Sequence, residues 1–442
     1  MVGWPLGPYS VSQRDRLVEY RMTKPEILAP AGNMFKLQTA VRYGADAVYL
    51  AGRRFGLRQA ADNFTIEQIH QAVAFAHENG TRVYVVLNGF LFDEELEDLP
   101  PFLAELESAG VDAVIVSDLG VLTTVRRHSN LRIHLSTQAS ALNSHAARFW
   151  RDMGVTRLVL GREVSIAEAA IIKREARVEV ELFGHGAMCM AFSGNCTISN
   201  YTAGRDSNRG GCIQSCRFKY RLSDERGGAG PQDHFLSSKD LQGIAQVPSF
   251  VEAGIDSLKI EGRMKSPLYV ATTVRAYARA RDAAWQRQAD FGVEDLFREL
   301  NTMSHRDYTS GNLLDKAGSD SVYLHDERHE PNSHDVIGHI LEATENHLAI
   351  HLRNPLETGD RLEMLVPGQD IRVLATDTLK DLTGQRVQRV SSNRVVLLPA
   401  DSIARAGFLL RKPKSKIDAI KDDISHDTDD AALIQHHRAH AG

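Results

Sequence analysis

The chain has 442 residues, 43% of them hydrophobic and 25% charged, a composition typical of a soluble globular protein. This length exceeds one ordinary compact core, so two domains, or a large barrel with an appended unit, are expected. The formal net charge of −5 excludes a surface that attracts nucleic acid as a whole, so a nucleic-acid contact would need a local basic patch. No apolar run approaches the length that spans a bilayer, and no membrane contact is expected.

Residues 1–21 are expected to form a disordered or irregular extension. Arg14, Asp15 and Arg16 interrupt it early, and it has no apolar central stretch, so it does not resemble a signal peptide. We therefore expect a cytoplasmic protein. In that reducing compartment, cysteines are poor candidates for disulfides and good candidates for metal ligands or catalysis.

Most of the chain repeats one pattern, in which a short apolar run precedes a helical stretch. Residues 64–79 and 94–109, for example, place apolar residues at helical spacing. Several runs follow a Gly-Ala-Asp or Gly-Val-Asp step, which suits a helix C-terminus that leads into a buried parallel strand. The predicted strands occupy 26–30, 47–50, 83–88, 113–118, 133–136, 158–161, 178–183 and 257–261.

This alternation predicts an α/β fold, and about eight units favour a β/α (TIM-like) barrel at residues 22–330. A doubly wound sheet is the second choice, and Phe235-Leu236 would be an additional strand. Near residue 335 the pattern changes to short alternating runs with turn signals at Gly359-Asp360. It predicts a small C-terminal antiparallel β-barrel at 335–412 and a flexible, charged tail at 413–442.

All four cysteines of the chain lie in one short segment, residues 181–220. They are separated by six, fifteen and three residues, and six glycines in the segment favour a backbone that folds closely around a cofactor. Four thiolates are enough to hold either a tetrahedral zinc ion or a [4Fe–4S] cluster. The candidate ligands are Cys189, Cys196, Cys212 and Cys216.

Several kinds of site compete for these cysteines. Structural zinc usually shows two-residue spacing between ligand cysteines, and a radical S-adenosylmethionine enzyme needs three cysteines in one compact loop; both patterns are missing. A cysteine protease is conceivable because His185 precedes Cys189 by one helical turn, although the partner of a nucleophile is usually remote in sequence. The spacing favours a metal site over a protease and does not separate iron–sulfur from zinc.

Basic and aromatic residues surround the later cysteines. Arginine among exposed aromatic side chains suits phosphate contact and base stacking, so an RNA-binding surface is one interpretation. A solvated loop that neutralises an anionic cluster is the other. The candidate RNA-binding residues are Arg205, Arg209, Arg217 and Lys219, with Tyr201, Phe218 and Tyr220 between them.

The cysteine segment resembles a known family signature. The stretch ELFGHGAMC at 181–189, with SGNC at 193–196, resembles the collagenase-like peptidase family, peptidase family U32. Further blocks at 27–33, 43–49, 134–139, 238–241 and 257–263 also fit, and the resemblance covers residues 24–310. Within the family, the chain length and the spacing of Cys212 and Cys216 look most like the tRNA-hydroxylating members.

The resemblance implies a function. It implies a [4Fe–4S] protein that is needed for oxygen-independent hydroxylation of tRNA, giving 5-hydroxyuridine at the wobble position, with prephenate as co-substrate. The implied partners are tRNA, the iron–sulfur assembly machinery and a still unidentified electron donor. Peptidase activity is not expected. A collagenase-like peptidase and a zinc-stabilised RNA-binding accessory protein are the alternatives.

Barrel enzymes place their chemistry at the C-terminal ends of their strands, where this sequence carries cationic residues. Prephenate is a dicarboxylate, and arginine binds carboxylates through two parallel hydrogen bonds. Arg162, Lys259 and Arg263 are therefore candidate catalytic residues that would bind the anion. Salt bridges to Glu163 and Glu261 are their alternative role.

His185 follows a predicted strand and precedes the first cysteine by four residues. It is a candidate catalytic residue that would relay a proton or hydrogen-bond near the cluster. A purely structural donor is the alternative. The sequence contains no dinucleotide fingerprint, phosphate loop or His-Glu-x-x-His motif, so nicotinamide, nucleotide-hydrolysing and metalloprotease chemistry lack support.

Overall fold

The computed structural model of the chain describes residues 23–57, 62–223, 229–288, 291–319 and 329–414. The expected extension at 1–21 lies outside these residues, as does the expected tail apart from its first two residues, and Pro413 is the end of a strand. No helix in these ranges is both long and apolar enough to pass through a membrane.

Within the described residues, eight parallel strands close into a barrel, because the last strand pairs with both the first and the seventh. Almost every strand residue is buried, as expected for strands covered by helices on one side and by the barrel interior on the other. The predicted TIM-like barrel is confirmed, and the doubly wound sheet is excluded. The strands are β1 (Glu26–Pro30), β2 (Ala47–Leu50), β3 (Arg82–Leu87), β4 (Ala113–Val116), β5 (Arg132–Leu135), β6 (Arg157–Val159), β7 (Glu179–Ala187) and β8 (Ser257–Ile260).

Helices cover the outside of the barrel. Side-chain caps fix their starts: Thr65 and Ser165 each form a capping box with the residue three positions later. The predicted helix at 94–109 is divided at Asp98, because prolines at 100 and 101 are tolerated only in the first turn of a new helix. The helices are α1 (Met34–Arg42), α2 (Ile66–Glu78), α3 (Asp93–Glu97), α4 (Leu99–Ser108), α5 (Leu119–His128), α6 (Ser144–Asp152), α7 (Ile166–Ala176), α8 (Ile198–Ala203), α9 (Val247–Glu252), α10 (Pro267–Trp285) and α11 (Val293–Leu300).

The long connection between β7 and β8 contains the cysteine segment. After it, the strands Tyr220–Ser223 and Ala229–Asp233 form an antiparallel hairpin. The strand Asp240–Gln242 then pairs antiparallel with the end of β7, and Phe235-Leu236 precedes it without forming a strand. This insertion lies at the C-terminal end of β7 and so places the cysteines at the C-terminal face of the barrel.

The C-terminal part of the described chain is an eight-stranded antiparallel sheet. It curls around its own aliphatic core, and its two edge strands, at 372–374 and 386–387, are not paired with each other, so it is an open form of the predicted small barrel. The strands are β9 (His334–Ala343), β10 (His347–Leu352), β11 (Leu362–Met364), β12 (Arg372–Leu374), β13 (Leu379–Lys380), β14 (Arg386–Val387), β15 (Val395–Pro399) and β16 (Leu409–Pro413). Their order across the sheet is β12-β11-β16-β9-β10-β15-β13-β14.

Buried polar contacts join the sheet to the barrel. The Tyr43 hydroxyl donates to the Leu365 carbonyl and accepts from the Leu409 N–H, both at 2.9 Å. The buried Arg411 guanidinium forms ion pairs at 3.0 Å with Glu299 of α11 and with Glu363 of β11. These directional bonds fix the position of the sheet against the barrel helices.

Candidate functional site

The four cysteines and the ends of the barrel strands surround one cavity of ≈ 200 Å³. It lies at the C-terminal face of the barrel, the face that carries the active site in enzymes of this fold. Its walls come from several strand ends and from the cysteine segment. The lining includes Tyr49, Asn88, Ser136, Gln138, Arg162, Phe183, Lys259, Glu261, Arg263 and all four cysteines.

The cysteine segment is folded by short turns. Ser193 and Gln214 adopt left-handed backbone conformations, and Asn208 clamps the backbone of Cys196 from both sides, accepting from its N–H at 3.3 Å and donating to its carbonyl at 3.0 Å. Glycine is required at 186, where φ is 108° and any side chain would collide with the Glu261 carbonyl. These features bring the four cysteines, which are separated by six, fifteen and three residues, to one cavity.

The cysteine thiols influence one another electrostatically. Burial raises the pKa of Cys196, and the nearby thiols of Cys189 and Cys212 raise it further. Burial raises the pKa of Cys216 to about 11; Arg217 opposes this shift, and the other three cysteines reinforce it. All four are free thiols, partly exposed. Thiolates gathered in this way repel one another, so a cationic metal centre would stabilise them.

The arrangement of the donors tests which metal group they fit. A structural zinc ion and a [4Fe–4S] cluster can both be held by four cysteine thiolates. Across the described residues, which include every cysteine, no three His, Cys, Asp or Glu side chains are arranged to hold a metal ion. Four thiols that line one cavity provide the donor set of a [4Fe–4S] cluster, in which each cysteine binds a different iron.

Two of the three predicted anion-binding residues are held by specific contacts. The Lys259 ammonium lies 2.9 Å from the buried Glu181 carboxylate and 4.7 Å from the centre of the Tyr49 ring. The Arg162 guanidinium lies over the Phe183 ring at 3.8 Å and donates to the Ala187 carbonyl at 3.2 Å. No carboxylate of the described residues forms an ion pair with Arg162, so its charge is available to a bound anion.

The third predicted cation, Arg263, is 4% exposed and lines the same cavity. Elsewhere in the lining, the Asn88 amide donates to Gln138 Oε1 at 2.8 Å, and the Ser136 hydroxyl donates to the same oxygen at 2.7 Å. The cavity therefore has a cationic wall and an amide wall. Such a pair of walls suits a small anionic molecule that also carries neutral polar groups.

The structure places His185 away from this cavity. Its ring is 1% exposed and lies against Tyr269, Tyr277 and Tyr308, and its Nδ1 is 3.2 Å from the Tyr277 hydroxyl. Burial lowers the pKa of His185 to about 3, so the ring is neutral near pH 7. Of the two roles considered for it, the structural one fits these contacts. Cys189 and His185 do not line a common cavity in the described structure, so the protease-like pair has no geometric support.

The four predicted RNA-binding residues divide into two pairs. Arg205 and Lys219 are exposed to solvent. Arg209 forms an ion pair with Glu95 at 2.8 Å and lies over the Phe92 ring at 4.1 Å. Arg217 donates to the Met188 carbonyl at 3.0 Å and lines the cavity. The second pair therefore holds the cysteine segment in place.

Exposed aromatic rings form a feature that the sequence showed only in part. Tyr201 and Phe218 of the cysteine segment are 88% and 41% exposed. Phe92, in the loop after β3, and Phe192, in the turn after β7, are 68% and 59% exposed. We call these four residues the aromatic rim. Nothing in the sequence links Phe92 to this site, because Phe92 is brought to it by a tertiary contact with Arg209.

Sequence reasoning also missed the support beneath the cavity. Glu181 is fully buried, and its carboxylate lies 3.6 Å from the Arg157 guanidinium as well as 2.9 Å from Lys259. Arg157 in turn forms an ion pair with Glu26 at 2.7 Å. We call Glu26, Arg157, Glu181 and Lys259 the charged column. The one signal for it is a charged residue within three predicted strands, Glu26, Glu181 and Lys259, and directly before a fourth, Arg157.

Comparison with known proteins identifies the family. Residues 32–323 match the sequence family described as "Peptidase family U32", and residues 332–411 match the family described as "Peptidase family U32 C-terminal domain". The chain is 40% identical over 403 residues to tRNA hydroxylation protein P1 of Bacillus subtilis, covering 88% of this chain and 95% of that protein.

Two further relatives are from Escherichia coli. Identity to its tRNA hydroxylation protein P is 32% over 401 residues, with 79% of this chain and 88% of that protein covered. Identity to its 23S rRNA 5-hydroxycytidine synthase is 33% over 384 residues, covering 85% of this chain and only 57% of that longer protein. The chain belongs to peptidase family U32.

Proposed function

We propose that this protein is an iron–sulfur-dependent RNA-modifying enzyme that hydroxylates the wobble uridine of tRNA to 5-hydroxyuridine. The observation that carries the proposal is the single cavity that is lined by all four cysteines and by the cationic side chains of Arg162, Lys259 and Arg263. Relatives named for tRNA hydroxylation and for 5-hydroxycytidine synthesis in rRNA support RNA hydroxylation as the reaction class.

Cys189, Cys196, Cys212 and Cys216 would hold a [4Fe–4S] cluster, which when bound supplies redox chemistry without a need for molecular oxygen. The chain orients these ligands itself. The Ile198 N–H donates to the Cys196 sulfur at 3.4 Å, and Asn208 fixes the Cys196 backbone. Hydrogen bonds to ligand sulfurs are one of the ways in which a protein adjusts cluster potential.

Prephenate is the proposed co-substrate, and the cationic wall is its proposed site. Arg162 would bind one carboxylate through its guanidinium, and Lys259, held by Glu181, would face the other. This assignment predicts that prephenate raises the melting temperature of the anaerobically purified protein. The shift should disappear in Arg162→Gln and persist in Ser223→Ala, an exposed residue outside the cavity. An equal shift in both variants would contradict the assignment.

The RNA would approach over the aromatic rim. A wobble base must leave its stack to reach a cavity, and exposed aromatic rings replace lost stacking at about 1–3 kcal/mol per base. Exposed Arg205 and Lys219 would contact the flanking phosphates. The other two predicted RNA-binding residues, Arg209 and Arg217, would act indirectly, by holding the cysteine segment in its fold.

The proposal is tested by mass spectrometry of wobble uridines from a strain that lacks the gene. Rescue with the wild-type chain or with Ser223→Ala should restore 5-hydroxyuridine, and rescue with Cys189→Ala should not. The wild-type protein, purified without oxygen, should be brown and contain iron and sulfide. Stoichiometric zinc without iron would favour the accessory-protein alternative instead. Proteolysis by the metal-free protein would favour the peptidase alternative.

A further inference from the structure

A second cavity lies between the barrel and the C-terminal sheet. It has a volume of ≈ 560 Å³, and we call it the barrel–sheet cleft. Its barrel side consists of the loops after β1 and β8, the start of α1, and Asp62 in the connection after β2, so it opens on the same face of the barrel as the cysteine cavity. Its sheet side consists of neighbouring strands. The residues used below are Lys36, Asp62, Lys265, His339, His351 and Arg353.

Positive charge predominates in this cleft. Lys36 and Lys265 line it from the barrel, and Arg353 lines it from the sheet. The one carboxylate in the described lining is that of Asp62, which accepts a hydrogen bond from the Asn33 amide at 2.9 Å. Arg353 is exposed, and no ion pair joins it to a carboxylate in the described part of the chain. The cleft is thus a local basic site on a chain whose formal net charge is −5.

Two helices begin at the cleft and add to its positive potential. Helix α1 starts after Asn33 and helix α10 starts after Ser266, and neither has an acidic residue in its first turn. Helix N-termini carry partial positive charge and bind phosphate groups. Barrel enzymes also commonly bind phosphate next to their last strands, which is the position of the loop after β8.

A pair of histidines forms the back of the cleft. His339 and His351 face each other across β9 and β10, with ring centres 5.4 Å apart. Their Nδ1 atoms are buried without a hydrogen-bond partner in the described structure. Burial lowers the pKa of His339, and the charges of His351, Arg353 and Arg42 lower it further. That direction is the one expected in a region of positive potential.

One short loop separates the cleft from the active-site cavity. Glu261 and Arg263 line the cavity, and the next residues, from Met264 to Pro267, line the cleft. The Lys36 ammonium, in the cleft, lies 3.4 Å from the Arg263 carbonyl. A polyanion that runs along this face could therefore occupy both places at once.

We propose that the barrel–sheet cleft binds the sugar–phosphate backbone of the RNA substrate at a distance from the nucleotide that reacts. The inference rests on RNA being the substrate, and it assigns the C-terminal sheet a share in RNA binding. Phosphate contacts of this type position a nucleic acid without reading its sequence. The contacts are electrostatic, so each one contributes to the salt dependence of binding.

The test uses the full-length protein with its metal centre and an unmodified tRNA transcript. Arg353→Glu should weaken binding about tenfold and lower the slope of log K against log salt by about one contact. Lys36→Glu should act in the same direction. Arg386→Glu is the matched control, because Arg386 is an exposed arginine of the same sheet outside the cleft. Circular dichroism should show equal folding of all variants.

Each outcome is decisive. Unchanged tRNA affinity and salt slope in Arg353→Glu and Lys36→Glu would overturn the proposal. Inorganic phosphate tested as a separate ligand distinguishes a free-anion site: if Arg353→Glu abolishes phosphate binding and leaves tRNA affinity intact, the cleft binds small anions only. If the wild-type protein binds tRNA through the cleft but hydroxylates nothing, the proposed reaction fails and the cleft remains an RNA site.

Discussion

The inside of the barrel and the inside of the C-terminal sheet are built from different side chains. The barrel encloses the charged column of Glu26, Arg157, Glu181 and Lys259. It also encloses the buried His134, and neither ring nitrogen of this histidine has a hydrogen-bond partner in the described structure. The sheet encloses Ile, Leu, Val, Met and Ala side chains. The two interiors therefore owe their stability to different interactions.

The difference shows where the fold is shaped by function. Burying an ion pair costs desolvation free energy, and apolar residues of similar volume are often as stable or more stable. The interior of the sheet is apolar, and its buried Arg411–Glu363 ion pair lies where the sheet contacts α11. The barrel keeps four charges in a row, and the last of them, Lys259, lines the cysteine cavity. The column is best explained as the support that holds a cation at the cavity floor.

The largest expected effect follows from breaking the column at its centre. Glu181→Gln leaves the Lys259 ammonium buried without its carboxylate, and removing one member of a buried pair costs about 3–5 kcal/mol. We expect the free energy of unfolding to fall by that amount in chemical denaturation, with loss of hydroxylation in the molecules that remain folded.

Glu179→Gln is the matched control. Glu179 is in the same strand and lies 2.9 Å from the same Arg157, but its side chain is 37% exposed. Exposed pairs contribute about 1 kcal/mol or less, so this variant should be nearly as stable as the wild type. Equal destabilisation by the two substitutions would show that burial does not set the strength of these ion pairs.

A smaller effect is expected from a substitution that creates a cavity in the core of the sheet. Leu348 of β10 is fully buried in the aliphatic core, and Leu348→Ala should lower the free energy of unfolding by about 3 kcal/mol through lost burial and an unfilled space. At a temperature where the variant is folded, its rate of hydroxylation per molecule should equal that of the wild type. A reduced rate would show that the sheet core acts on the active site.

The same contrast explains how much of the fold the sequence predicts. Every predicted barrel strand overlaps an observed one, because buried parallel strands are continuous apolar runs. Strand β7 is longer than predicted and extends to Ala187, since Gly184 and Gly186 look like loop residues. Its extension is stabilised by pairing with Asp240–Gln242, a contact between segments far apart in sequence.

The part of the site that could be predicted from the sequence consists of residues of one chemical type that lie close together in the chain. The four cysteines share a short segment, so their meeting at one cavity could be expected. Tyr49 and Glu181 could not be assigned to the cavity or its support, because both faces of a barrel strand are buried and the sequence does not indicate which one points inward. Phe92 joins the rim only through a tertiary contact with Arg209.

The pH dependence of stability offers a smaller test of the barrel interior. His185 has its pKa lowered to about 3 by burial, whereas an unfolded histidine titrates near 6.5. The unfolded state therefore binds more protons between these values, and stability should fall as the pH decreases from about 6.5 towards 3. His185 alone contributes up to about 1.4 kcal/mol per pH unit.

Denaturation measured at pH 7, 6 and 5 checks this expectation. His185→Phe should reduce the slope of unfolding free energy against pH, because it removes the buried base while keeping a ring among three tyrosines. His128→Gln, at an exposed position at the end of α5, serves as the control and should keep the wild-type slope. An unaltered slope in His185→Phe would assign the acid sensitivity to other groups.

The smallest effect on stability is expected at the aromatic rim, which belongs to neither interior. Tyr201 is 88% exposed, so Tyr201→Ala should change the free energy of unfolding by less than about 0.5 kcal/mol. Its effect on RNA should be much larger, since loss of one stacking ring costs about 1–3 kcal/mol of binding. We expect tRNA affinity to fall about tenfold in a filter or fluorescence assay, and Tyr201→Phe to retain wild-type affinity because the stacking face is kept.

Leu222→Ala, which removes an exposed apolar residue from the neighbouring hairpin, should leave affinity unchanged. If Tyr201→Ala and Leu222→Ala weaken binding equally, general apolar surface, and not base stacking, carries the RNA contact at this rim.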